Sequence, residues 1–280
     1  MTEWSETYRG SVAPWECDVT EHFTIAYYYE RLDQAAANLA DELGLSERLR
    51  GGIMPRRVDA RFVRELRAGA GFHIESAVIG VDDNELRLGH RIADSANGET
   101  VTWIAERWAP VAPESRAAIA ARIAAWPGPE VEERPEPTQT TGLAPTAAGR
   151  VRPGDLDEHG GFTLGAFIHC FTAASLQMQA AIGMDAAYMN AQRRGFSTFE
   201  LGLRVARLPR LGERYRIQSG VAHLVSSSLR FHHRLSNAGT GEVLVTLGQF
   251  GVQLDLDARR PAALPDALRT RAAQLLLAAG

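Results

Sequence analysis

One 15-residue stretch of this chain occurs twice, 139 residues apart. The first copy is Gly10-Ser-Val-Ala-Pro-Trp-Glu-Cys-Asp-Val-Thr-Glu-His-Phe-Thr24. The second is Gly149-Arg-Val-Arg-Pro-Gly-Asp-Leu-Asp-Glu-His-Gly-Gly-Phe-Thr163. The offset lays Gly10 on Gly149, Val12 on Val151, Pro14 on Pro153, Asp18 on Asp157 and Phe23-Thr24 on Phe162-Thr163, with Glu16 on Asp155. Further along, the offset grows to 143: Arg67-Ala-Gly69 falls on Arg210-Leu-Gly212, Phe72, Ile74, Ser76 and Val78 on Tyr215, Ile217, Ser219 and Val221, and His90-Arg91 on His233-Arg234. Matches in this order require two copies of one unit, so any fold proposed for the chain has to work twice.

The unit itself can be read from period. After the acidic turn, Ile25, Tyr28, Leu32, Ala35, Ala36, Leu39 and Leu43 recur at helical spacing, and Gly44 marks the stop. The helix is expected over Thr24 to Leu43. Residues 45–55 read as a polar loop. Alternation then replaces helical spacing at Phe72 to Val78, Leu86 to Ile92 and Val101 to Ala105, with a hairpin signal at Asn97-Gly98. The second copy repeats the plan, with a helix from about Phe162 to Gly183. Between the copies, Ser115 to Ala125 can form a helix, and Gly128 to Ala148, rich in Pro, Glu and Thr, reads as a linker. The expected layout is a first repeat over 1–112, a linker with a short helix over 113–148, a second repeat over 149–258 and a tail over 259–280 ending in a short helix. One long helix followed by a meander of strands suggests an α+β unit, an antiparallel sheet wrapped around a central helix, with two such units making an intrachain pseudo-dimer.

Composition narrows the function classes. Hydrophobic residues make up 45% and charged residues 23%, with a net charge of -4, which leaves no basic footprint for nucleic acid. No run approaches the roughly 20 apolar residues of a membrane span, and the N-terminus has no apolar core of a signal peptide. Cys17 and Cys170 are too few for a disulfide framework or a thiolate metal site. A cytoplasmic protein without metal or redox cofactor, membrane contact or nucleic-acid partner is expected.

The duplicated turn resembles the opening motif of the hotdog superfamily, in particular the 4-hydroxybenzoyl-CoA-thioesterase-like acyl-CoA thioesterases, roughly Val-x-x-x-Asp-x-Asp-x-x-Gly-His-Val-Asn ahead of the hot-dog helix. The first copy matches at Val12, Glu16, Asp18, His22, Phe23 and Thr24, and the second at Val151, Asp155, Asp157, Gly160, Phe162 and Thr163. Both copies depart from it. Glu21 stands at the motif's Gly in the first, Gly161 at its His in the second, and Thr replaces Asn in both. His159-Gly160-Gly161 matches the His-Gly-Gly of another hotdog branch, but Ile168 stands where that branch has an acid.

The resemblance implies a tandem double-hotdog thioesterase that hydrolyses an acyl-CoA or acyl-carrier-protein thioester to a free acid and a thiol. Its chains often pair further, so a homo-oligomer is plausible. By the same resemblance, Asp18 or Asp157 acts as nucleophile or general base, supported by His22, Thr24 and Thr163. Backbone N–H groups at a helix start, beside the positive end of the helix dipole, can serve as an oxyanion hole. A plainer role for the two acids is capping: Asp18-Val-Thr-Glu21 has capping-box spacing, and Asp157 can be an N-cap. Arg56, Arg57, Arg64, Arg67, Arg204, Arg207 and Arg210 are candidates for CoA phosphates or solvated surface charge. Glu30 and His169, equivalent by the repeat, lie inside the helices. His90 and His233 fit structural roles, and Cys17 and Cys170 read as small buried residues. A hotdog enoyl-thioester hydratase or dehydratase, and a non-catalytic acyl-thioester-binding protein, remain as alternatives.

Overall fold

The computed structural model describes residues 4–18, 20–45, 53–130, 134–137 and 141–278. They fall into two compact units, Met1–Val131 with Leu156–Ile168, and Glu132–Asp155 with His169–Gly280. In the first, β1 (Ser5–Ser11), β2 (Met54–Phe62), β3 (Gly71–Val81), β4 (Leu86–Asp94) and β5 (Thr100–Ala109) form an antiparallel sheet in the order β1-β3-β4-β5-β2. Helix α1 (Ile25–Glu42) packs on β1 and β3, and α2 (Pro113–Ala120) lies against β3. In the second, β6 (Ala144–Arg150), β7 (Arg194–Val205), β8 (Arg214–Leu224), β9 (Ser228–Asn237) and β10 (Val243–Asp255) form a sheet in the order β7-β10-β9-β8-β6, with β11 (Arg260–Pro261) beside β10. Its helices are α3 (Leu164–Ala181), whose first turn belongs to the first unit, α4 (Ala186–Gln192) and α5 (Asp266–Gln274).

The duplication holds down to irregularities. The sheet register slips between Glu6 and Tyr8 and again between Pro145 and Ala147, and likewise between Val78 and Gly80 and between Val221 and His223. Each pair of bulges is related by the offsets read from the sequence. Both long helices have 18 residues and end in a left-handed glycine, Gly44 at φ 68° and Gly183 at φ 89°. In each the residue after the glycine turns back, Leu45 N–H donating to Ala40 O and Met184 N–H to Gln179 O, both at 2.8 Å. That arrangement satisfies carbonyls a helix end leaves open, and only glycine reaches it without a steric cost.

The α1 side of the first sheet buries Ala36, Leu39, Ala40, Leu45, Val78, Leu86, Leu88 and Trp108, with Ile119 of α2. The second core gathers Met178, Ile182, Met184, Val221, Leu229 and Phe231 under Leu264, Leu268 and Ala272. Between sheet and helix each repeat also buries a polar line. In the first, Thr7 Oγ1 and Ser76 Oγ are 2.6 Å apart, and Ser76 Oγ and His90 Nδ1 2.7 Å; His90 Nε2 is 3.2 Å from Glu106, which also accepts Trp108 Nε1–H at 2.5 Å. In the second, Thr146, Ser219 and His233 repeat the line at 2.7 Å and 2.7 Å, but Gln249 stands at Glu106's position. Burial pushes His233 down to about 3, so that imidazole is neutral.

Three expectations shift. Phe162 lies outside its helix, in a bridge with Leu156, because Thr163 starts α3 one residue later. The short helix expected at Ser115–Ala125 begins at Pro113, whose fixed φ suits a first helical position. Ala144–Ala148, read as linker, opens β6 because those residues pair with β8. Of the loop read over 45–55, residues 46–52 lie outside the described residues. No helix among the described residues is long and apolar enough to cross a membrane.

Candidate active site

The two acidic turns share one backbone. In the first, Asp18 N–H donates to His22 O at 2.9 Å and Glu21 N–H to Asp18 O at 2.9 Å; in the second, Asp157 N–H donates to Gly161 O at 2.8 Å and Gly160 N–H to Asp157 O at 3.1 Å. The fourth residue is left-handed in both, Glu21 at φ 65° and Gly160 at φ 80°. Glu21 therefore keeps the motif's backbone without its glycine, at a cost of roughly 1 kcal/mol. Neither acid caps a helix, and no Asp18–Glu21 capping box forms. The helices begin after Thr24 and Thr163, too far along for either carboxylate, so each acid closes its own turn.

Side chains separate the two turns. Asp18 Oδ1 accepts from Thr20 N–H at 2.8 Å, Thr20 Oγ1–H at 2.6 Å and His22 N–H at 3.3 Å. Thr20 Oγ1 also meets His22 Nδ1 at 2.9 Å, and His22 Nε2 lies 2.9 Å from Glu65. Asp18, Thr20, His22 and Glu65 thus form one line that fixes the imidazole at both nitrogens. The loop bearing Glu65 is held to the turn by Phe23 N–H on Leu66 O at 2.8 Å. Beneath, Glu16 is buried, accepts Ala13 N–H at 2.9 Å and pairs with Arg31 of α1, fastening turn to helix. In the second copy, Asp157 Oδ1 accepts from His159 N–H and Gly161 N–H, each at 2.8 Å. Gly161 replaces the histidine, and a Cβ there would come within 2.8 Å of Asp157 Oδ2. The Asp157 carboxylate therefore stands where a side chain at this position would leave the backbone.

The helix starts differ more. At α3, Leu164 N–H donates to Asp33 Oδ1 at 3.0 Å, Gly165 N–H to Asp33 Oδ2 at 2.8 Å, and Ala166 N–H to Thr163 Oγ1 at 3.1 Å. At α1, Thr24 makes no side-chain cap, and neither Ile25 N–H nor Ala26 N–H has an acceptor among the described residues. Ile25 and Ala26 are the repeat equivalents of Leu164 and Gly165. Burial pushes the Asp33 carboxyl up to about 8 against the lowering pull of the two N–H groups, and the Glu106 and Asp157 charges push the same way. Sequence reasoning passed over Asp33. The available signal was an acid at a position where the repeat carries Thr172.

The remaining candidates have local roles. Arg57 pairs with Asp59, Arg64 with Glu99, Arg204 with Glu136, and Arg207 with Glu213 and Glu242. These four arginines already have carboxylate partners. Glu30 pairs with Arg31, and His169 is exposed. Cys17 and Cys170 are half-buried rather than buried; Cys170 stands at Arg31's repeat position, and its thiol sits 3.2 Å from Tyr215 OH. His90 and His233 sit in the polar lines described above.

A family model described as the thioesterase-like superfamily matches residues 12–122 and again 151–272, once per repeat. No curated protein matches the chain. Among solved structures, it is similar to a putative oleoyl thioesterase from Lactobacillus plantarum, at 14% identity over 89% of this chain and 96% of that one, with a TM-score of 0.67. An acyl-ACP thioesterase from Bacteroides thetaiotaomicron gives 14%, 87%, 96% and 0.67 in the same order. The 12:0-ACP thioesterase from Umbellularia californica gives 14%, 91%, 93% and 0.67. At that identity the likeness speaks for the fold, an α+β double hotdog of two tandem repeats. With the family model matching both of its repeats, the chain belongs to the thioesterase-like superfamily.

Proposed function

We propose that this thioester hydrolase cleaves an acyl-CoA or acyl-carrier-protein thioester at its first repeat, with Asp18 as the reacting carboxylate. One observation carries the reading: among the described residues, only the first repeat combines an Asp–Thr–His–Glu line with a helix start whose first two N–H groups lack acceptors. Such a pair of backbone donors can take the oxyanion that develops when a thioester carbonyl is attacked. Asp18 acts in one of two ways. As nucleophile it bonds to the acyl carbon, the thiolate leaves and takes a proton, and water then cleaves the anhydride. As general base it takes a proton from the water that attacks the same carbon, and the thiolate then leaves and takes that proton. His22, fixed by Thr20 and Glu65, orients substrate or water, and the Thr24 hydroxyl stands at the helix start. Asp157 and Thr163 are the second repeat's counterparts, with Gly161 at the position of His22.

The test is thiol release from a panel of short, long and aromatic acyl-CoAs and an acyl-carrier protein, with wild type beside Asp18→Asn and Asp157→Asn. Release that collapses in Asp18→Asn supports the reading. Collapse only in Asp157→Asn moves the chemistry to the second repeat, and binding without release by the wild type supports a non-catalytic binding protein.

A further inference from the structure

The carboxylate of Asp33 occupies, with one oxygen each, the N–H groups of Leu164 and Gly165. Those are the repeat counterparts of the two donors that the proposed site leaves open at Ile25 and Ala26. We propose that Asp33 closes the start of α3 to an acyl carbonyl, so that the duplicated chain holds one carbonyl-binding site rather than two. The inference rests on the hydrolase reading above, in which a helix start binds the carbonyl oxygen.

Three features of the molecule support the closure. The first is chemical: the Asp33 carboxyl group sets one oxygen on each of the two donors, so an acyl carbonyl can use them only by displacing a buried group that already satisfies both. The second is steric. A Cβ on Gly165 would meet the Glu30 backbone at 3.1 Å and its Cγ at 2.7 Å, so a glycine is needed for α1 to come this near. Asp33 lies three residues beyond Glu30 on the same face of α1, and the close approach brings its carboxylate within hydrogen-bond reach. The third is in the repeat. Thr172 stands at Asp33's equivalent position and Ala26 at Gly165's, so the start of α1 has neither half of the device. Gly161 in place of His22 agrees with the same division, because the second turn has no imidazole at that position.

The experiment uses the full chain and the ketone analogue, with CH2 in place of the thioester sulfur, of whichever acyl-CoA is hydrolysed fastest. Binding stoichiometry is read by calorimetry for the wild type and for Asp33→Thr, the residue the repeat already carries, with Asp33→Asn as a second variant should the first not fold. One analogue per chain is expected for wild type and two for the variant, with turnover no lower than wild type. Amide hydrogen exchange at Leu164 and Gly165 gives an activity-free readout, at least tenfold faster in the variant. Two analogues bound by wild type overturn the inference, as does a folded variant that binds one and keeps both amides slow. A tenfold or greater fall in the variant's turnover also overturns it, by making Asp33 a reacting group. A wild type that releases no thiol counts against the hydrolase reading instead, and the exchange measurement still decides whether Asp33 holds the helix start.

Discussion

The two acidic turns have the same backbone bonds and opposite consequences. Around Asp18 the carboxylate leads through Thr20 to His22 and Glu65, and the first two N–H groups of the helix beyond have no acceptor among the described residues. Around Asp157 the carboxylate meets only its own turn, and the helix beyond is capped three times. The buried lines behind the sheets diverge in the same direction, with Glu106 against Gln249. Backbone geometry survives duplication because it is fixed by turns and registers that tolerate many side chains. Reactive chemistry needs particular side chains in particular places, and one copy is enough to supply it.

The comparison breaks most easily at Asp18. Asp18→Asn is expected to lower the rate of thiol release about 100-fold or more, and Asp157→Asn less than about threefold; similar losses in the two would make the turns equivalent. Next comes the buried line. Glu106→Ala leaves His90 and Trp108 facing an empty site and costs about 3 kcal/mol of stability, whereas Gln249→Ala costs about 1–2 kcal/mol. Urea melts of the pair would show the gap, and equal midpoints would remove the distinction. His22→Gln is expected to slow turnover about tenfold with little change in stability; kinetics and a thermal melt on one preparation separate the two effects.

Smaller effects sharpen the helix starts. Thr163→Ala removes a cap and costs about 1 kcal/mol, while Thr24→Ala costs only a few tenths, roughly the propensity difference. Asp33 makes stability depend on pH. Its carboxyl titrates near 8 when folded and near 3.8 when unfolded, so the folded chain holds a proton that the unfolded chain has released. That contribution is complete below about pH 4 and is lost as the pH rises toward 8. The melting temperature of Asp33→Thr relative to wild type should therefore climb from pH 5 to pH 8; a flat difference would mean that Asp33 does not titrate in this window.

Much of the fold was legible because the repeat tests every reading twice. Both helices, their glycine stops and the strand alternation at Phe72 and Tyr215 follow from spacing alone, since period and turn chemistry are local properties of the chain. The acidic turns were legible as places, and the motif drew attention to Asp18, His22 and Asp157. What those residues bond to was not legible. The spacing Asp18-x-x-Glu21 satisfies the capping-box rule, yet the helix starts at Thr24, because Glu21 takes a left-handed conformation and turns the chain before the helix begins. Asp33 was invisible for a different reason. Its partners are 131 and 132 residues away, and no local pattern encodes a contact of that range.

The glycine at 165 also bears on what the halves can exchange. In a homodimer of single repeats each position would serve both partners and any change would be made twice. In this tandem chain Gly165 and Asp33 differ from their counterparts Ala26 and Thr172. A chain rebuilt from two first repeats would place an alanine methyl against the Glu30 backbone at 3.1 Å or less, and one rebuilt from two second repeats would lose the carboxylate altogether. The two halves are no longer interchangeable parts: each carries half of a joint that neither could make with a copy of itself.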